Sequence, residues 1–83
     1  MFYIVNRYEY HVYDDKICQI NILASAKTIN EIKQLAKRIN QDERYEKYFG
    51  YCNYVGIYEA DELTPPYEFK NMEIYMTFTE ALR

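Results

Sequence analysis

Only two glycines, two prolines, two cysteines and one histidine occur among the 83 residues, and tryptophan is absent. Gly50 and Gly56 alone cannot build the glycine-rich loop that cradles a phosphate. Cys18 and Cys52, with a single histidine, make neither a disulfide framework nor a zinc ligand set, and they read as buried free thiols. No apolar run reaches the roughly 18 residues that a membrane-spanning helix requires. The start, Met1 to Arg7, lacks a basic segment followed by a long apolar one, so no signal peptide is expected. The expected location is the reducing cytoplasm. Basic charge is also short, with ten Lys and Arg against thirteen Asp and Glu, for a net charge of −3. That balance speaks against direct nucleic-acid binding, which needs a dominant basic face.

The length fits one domain, 1–83. A chain this short buries only about 60–65% of the surface that its unfolded form exposes, for a stability on the order of 4–12 kcal/mol. A deep active-site cavity would compete with the core for the same few apolar side chains. Function is therefore expected on the outer surface or at a subunit interface.

Tyrosine is what the chain has in abundance, eleven times. Tyrosines bring large area, little rotamer entropy and a polar tip, which suits contact surfaces. Charge is unevenly spread. Residues 1–43 balance six bases with six acids, whereas residues 59–83 hold six acids (Glu59, Asp61, Glu62, Glu68, Glu73, Glu80) against Lys70 and Arg83. The segment 27–38 is basic, with Lys27, Lys33, Lys37 and Arg38 against Glu31.

Periodicity predicts the elements. Residues 2–13 alternate as a strand, with Phe2, Ile4, Tyr8, Tyr10 and Val12 on one face and Tyr3, Val5, Arg7, Glu9, His11 and Tyr13 on the other. Asp14-Asp15-Lys16 predicts a turn. Residues 17–24 return as a second strand, with Cys18, Ile20, Ile22 and Ala24 on one side. Thr28-Ile29-Asn30-Glu31 matches a capping box, and Ile29, Ile32, Leu35, Ala36 and Ile39 follow at helical spacing. The helix should end near Asn40–Asp42, with a short extra turn over 43–49 ending at Gly50. Residues 51–59 read as a third strand, in which Gly56 marks a bulge or a close backbone approach. A loop from Asp61 to Tyr67 contains Pro65-Pro66. Residues 71–79 read as the fourth strand, with Met72, Ile74, Met76 and Phe78 turned inward. The order ββαββ implies an α+β, two-layer domain: a four-stranded antiparallel sheet with one amphipathic helix on one face. The other face should stand open to solvent or a partner, with Tyr3, Tyr13 and Tyr75 on it.

Catalytic readings are thin. His11 could act as a base beside Glu9, Arg7 and Tyr13, but a lone histidine on an exposed strand face is the simpler account. A cysteine nucleophile activated by His11 meets the objection that an apolar strand raises a thiol's pKa. Glu59, Asp61 and Glu62 fit no cation-loop spacing, so a solvated acidic loop is expected and no metal or cofactor is implied. Gly56-Ile57-Tyr58 is half of a GIY-YIG nuclease signature whose second half never follows. Pro65-Pro66-Tyr67 lacks the residue that a WW-domain ligand places between its prolines and tyrosine.

The expected function is accordingly non-enzymatic protein binding. Tyr3, Tyr13, Tyr75 and Tyr67 would supply contact area, and Glu59, Asp61, Glu62 and Glu68 would steer association with a basic surface. In size, acidity and these residues the chain resembles small phage-encoded inhibitors of host defence of the anti-CRISPR type. The resemblance is one of type. It implies a host or bacterial protein partner, such as a nuclease blocked at its basic groove. A homodimer through the open sheet face or an edge strand is expected from the residues themselves. The alternative reading is a small-ligand or nucleotide site at a homodimer interface, with tyrosines stacking on the base and Arg7, His11, Lys33 and Arg38 available to phosphates.

Overall fold

Two long strands dominate the computed structural model, which describes residues 1–83. Strand β1 (Phe2–Val12) runs straight into β2 (Asp15–Ala26). At about 3.4 Å per residue such a hairpin spans nearly the whole molecule, whose longest dimension is 41 Å. The chain continues through helix α1 (Ile29–Gln41), a short 3-10 helix (Glu43–Tyr48), β3 (Asn53–Glu59), a second 3-10 helix (Pro66–Asn71), β4 (Met76–Thr77) and a four-residue helix α2 (Phe78–Ala81). The strands form one antiparallel sheet in the order β2-β1-β3-β4. The expected α+β fold with a four-stranded sheet is therefore what the chain adopts.

Local chemistry explains α1. Thr28 stays extended, and its hydroxyl oxygen accepts the Glu31 backbone N–H at 3.2 Å, satisfying one of the donors that a helix start leaves free. The Glu31 carboxylate meets the Thr28 hydroxyl itself. Ile32, Ala36 and Ile39 are buried against Ile4, Ala26 and Ile57 of the sheet and Phe78 and Ala81 of α2. Each fully buried isoleucine contributes on the order of 1.5–3 kcal/mol. At Asp42 the helix ends and the next begins: its backbone N–H donates to Ile39, and its carboxylate accepts from the Arg44 N–H.

Three features differ from the sequence reading. The hairpin turn is Tyr13-Asp14, because Val12 pairs with Asp15 and Lys16 already lies in β2. A bulge lies between the Ile4–Ala24 and Val5–Ile22 pairs and leaves Leu23 unmatched. It shifts the alternation, so Ala24 and Ala26 face α1 while Cys18, Ile20 and Ile22 face the other way. Residues 71–79 are not one strand. Only Met76 and Thr77 pair, with Ile57 and Gly56. Thr77 then caps α2, its hydroxyl oxygen accepting the Glu80 N–H at 3.1 Å.

The largest correction concerns the second sheet face. At the hairpin's root it is covered, because the 3-10 helix at 66–71 folds under the sheet and buries Phe69 against Tyr3, Val5 and Tyr58. The rings of Tyr3 and Tyr58 meet Phe69 edge-on at 5.2 and 5.5 Å. Tyr3 is only 6% exposed, so its ring is not part of any contact surface. The region left bare is one end of the hairpin, not one whole face.

Candidate functional site

The acidic stretch is a held loop rather than a slack one. Ala60 donates its N–H to the Met1 carbonyl, and Thr64 closes a turn onto Asp61. The Tyr3 hydroxyl donates to the carbonyls of Asp61 and Glu62 at 2.9 and 3.2 Å. Phe69 plugs the segment into the core at its far end. Tyr3 thus serves the loop from beneath, as an anchor for the backbone that carries the acids. With the backbone fixed inward, the side chains of Glu59, Asp61, Glu62 and Glu68 point to solvent. Apolar area stands among them: Leu63 is 92% exposed and Tyr67 64%. Ile74 and Tyr75 are exposed as well, with Tyr75 packed edge-on against Phe2 at 5.2 Å.

Tyr13 lies elsewhere. It sits at the hairpin tip, 98% exposed, with φ at 56°. Ten strand residues from Tyr3 at about 3.4 Å each put it some 30 Å from the acidic loop. The expected contact residues therefore fall into two places: Tyr13 at the tip, and Tyr67 and Tyr75 with the four acids at the root.

Beyond Val5 the uncovered face of the hairpin becomes polar. Arg7 donates to the Glu9 carboxylate at 2.6 Å, and Lys16 approaches the same carboxylate at 3.3 Å. Partial burial pushes the Glu9 carboxyl upward, but Lys16 and Arg7 outweigh it and hold it below the ordinary carboxylate value. Burial likewise opposes the Arg7 charge, and the neighbouring Tyr58 oxygen and Glu9 outweigh it in turn. The Arg7 Nε is buried without a hydrogen-bond partner. These side chains border an open cleft of about 570 Å³, with Tyr54, Tyr58 and Ile74 along its apolar wall. Ile74 lies over Gly56, where an added Cβ would come within 3.0 Å of its Cγ2. The close neighbour at Gly56 is thus a side chain, where the strand pattern predicts a bulge or a close backbone approach.

Within one copy of the chain the alternative ligand residues lie apart. Arg7 lies on the face opposite α1, which carries Lys33 and Arg38. His11 is exposed near the tip and shares a shallow hollow with Cys52, Tyr51 and Tyr54. No hydrogen bond joins it to either cysteine, and both thiols are free and partly buried. No three His, Cys, Asp or Glu side chains converge as metal ligands would. No helix is long and apolar enough to cross a membrane.

Two residues that matter here were not singled out from sequence. Phe69 seals the face, and its signal was Pro66 at the first position of a helical turn. Asn6 is fully buried: it donates to the Tyr48 carbonyl and to Asn53 Oδ1 at 2.7 and 2.9 Å, and accepts from Asn21 at 3.1 Å. An asparagine at the centre of an apolar strand was its signal. Comparison with family models, with curated proteins and with solved structures returns no match, so function must be read from the geometry.

Proposed function

We propose that the chain is a non-enzymatic interaction module whose contact surface is the acidic loop and its apolar neighbours, 59–75. The observation that carries this reading is the pinned backbone: Tyr3 and Phe69 fix the loop from inside while Leu63 and Tyr67 stand exposed among Glu59, Asp61, Glu62 and Glu68. A preorganised loop loses little conformational entropy on binding. Exposed apolar anchors ringed by one sign of charge fit a partner with a complementary basic surface and a shallow apolar pocket. A basic, nucleic-acid-facing groove of a bacterial protein, such as a nuclease, has that chemistry. Occupying it would make the chain an inhibitor of the kind its size and acidity resemble.

Partner capture from a bacterial lysate, run side by side with variants, tests this. Asp61→Lys with Glu62→Lys should abolish capture that the unmodified chain achieves, and a short DNA duplex should displace the captured protein. Tyr3→Phe should weaken capture less than the reversal does, because it loosens the loop without removing a contact. Capture of the same protein by the unmodified and charge-reversed chains would overturn the reading.

The cleft supports a second reading, a small anionic ligand held by Arg7 and stacked on Tyr54. Glu9 already neutralises much of the charge that Arg7 and Lys16 would offer it, which is why the loop is preferred.

A further inference from the structure

The direction of the backbone hydrogen bonds identifies an unguarded edge. In an antiparallel sheet, successive residues address their N–H and C=O groups to opposite neighbours. Glu9 donates its N–H to the Cys52 carbonyl at 2.8 Å, on the β3 side. Odd-numbered residues in this part of β1 therefore address β3, and Asn6, Tyr8 and Tyr10 address β2. Their partners there are Asn21, Gln19 and Ile17. The backbone groups of Lys16, Cys18, Ile20 and Ile22 are left pointing outward. No backbone group of β2 takes part in any hydrogen bond outside the regular ladders, and no side chain bonds to one.

Natural edge strands are usually blunted by charge, proline, shortness or bulges. β2 is twelve residues long. From Ile17 to Ala26 it carries no charged side chain and no proline, and its one bulge comes only at Leu23. Ile22 is 39% exposed, and Cys18 and Ile20 are partly exposed beside it. An apolar row and an unpaired ladder thus coincide between residues 16 and 22.

We propose that this edge pairs antiparallel with the same edge of a second copy of the chain, about a two-fold axis through Ile20. This register sets Ile20 against its own copy and Cys18 against Ile22 of the second copy, all on one face. It sets Gln19 against Asn21 of the second copy on the other face, where two amides can bond. The charges agree with it: the two Lys16 side chains end up about 27 Å apart, eight residues at 3.4 Å, well beyond screening distance. Moving the axis to Cys18 would place Lys16 opposite Ile20, and moving it to Ile22 would run the ladder into the bulge. The two four-stranded sheets become one continuous sheet, with both α1 helices on the same side. An isologous contact of this kind closes on itself and uses up the β2 edge of both copies. It does not depend on the acidic loop having a partner.

Sedimentation equilibrium of the unmodified chain should return twice its 10.1 kDa mass. Ile20→Pro removes an outward N–H and no bond to β1, and should raise the dimer dissociation constant at least about tenfold. In a Cys18→Ser, Cys52→Ser background, Ile20→Cys should form a reducible covalent dimer under mild oxidation. Hydrogen-bonded pairs place their Cα atoms about 5.5 Å apart, within disulfide range. Ser25→Cys in the same background should stay monomeric. A monomeric mass at every concentration would overturn the proposal, and so would cross-linking at position 25 but not at 20.

Discussion

The root and the tip of the β1–β2 hairpin are built from the same two strands but live in different solvents. At the root, Ile4 and Ala26 face α1 and α2, while Tyr3 and Val5 face Phe69. Both sides are dry. Beyond Tyr8 the third strand gives out, since β3 pairs only with Phe2–Tyr8, and a single bond from Glu9 to Cys52 follows. Neither helix layer extends over the tip, and the ladder continues as a two-stranded ribbon of ion pairs, tyrosines and one histidine. A two-stranded ribbon alone is marginal in water, so stability should reside in the root.

The hardest blow to that contrast is Phe69→Ala. Phe69 is fully buried, and truncating such a phenylalanine costs about 3–5 kcal/mol, a large share of the stability of a chain this size. His11→Ala at the tip should stay within about 0.5 kcal/mol. Urea unfolding of both variants checks the pair, and equal losses would dissolve the distinction between the two ends.

Gly56→Ala tests how tightly the root closes. The new Cβ would press on Ile74 Cγ2 at 3.0 Å, and because Ile74 is half exposed and can yield the cost should be about 1 kcal/mol, the low end of overpacking. Ile74→Ala should relieve most of it, so the double variant should be more stable than the sum of the single losses implies. Strict additivity would mean that Ile74 does not cover Gly56 in solution.

The ion pairs of the ribbon carry the next effect. Glu9→Gln should lose about 1 kcal/mol at neutral pH, the scale of an incompletely buried pair. Because the folded state holds the Glu9 carboxyl below its ordinary value of 4.5, its contribution is present above that pH and is lost as pH falls through the lower folded value. The stability gap between the two proteins should therefore shrink on acidification below about pH 4.5. A gap that is flat with pH would show that the pairs with Arg7 and Lys16 contribute nothing.

Sequence carried the fold wherever one local rule sufficed. The hairpin, the Thr28 cap and the apolar stripe of α1 each follow from a few neighbouring residues. It failed where a partner was needed. Met72, Ile74, Met76 and Phe78 alternate as a strand should, but alternation cannot say how much edge is free to pair, and here Gly56 and Ile57 are all that β4 finds. The Thr77 to Glu80 spacing repeats the Thr28 to Glu31 grammar and was a signal for α2 that the strand reading passed over. Three successive apolar residues, Ile22-Leu23-Ala24, were an unread signal for the bulge. The acidic residues of the candidate site were legible because charge favours the surface. Tyr3 was misplaced because a tyrosine reads equally as a contact or as a buried ring with one hydroxyl partner, and only the return of Phe69 decides between them.

Tyr13 offers the smallest and sharpest comparison. Its φ of 56° lies in the left-handed region, where a side chain with a Cβ is strained by roughly 1–2 kcal/mol and glycine is not. At 98% exposure its ring recovers almost nothing from packing. Tyr13→Gly should therefore stabilise the chain by about 0.5 kcal/mol, once the greater entropy of the unfolded glycine is subtracted. Because the proposed contact surface at 59–75 lies about 30 Å away, thermal unfolding and partner capture should separate in this one variant: melting up, capture unchanged. A fall in capture would extend the contact surface to the tip, and an unchanged melting temperature would mean that the turn carries no strain.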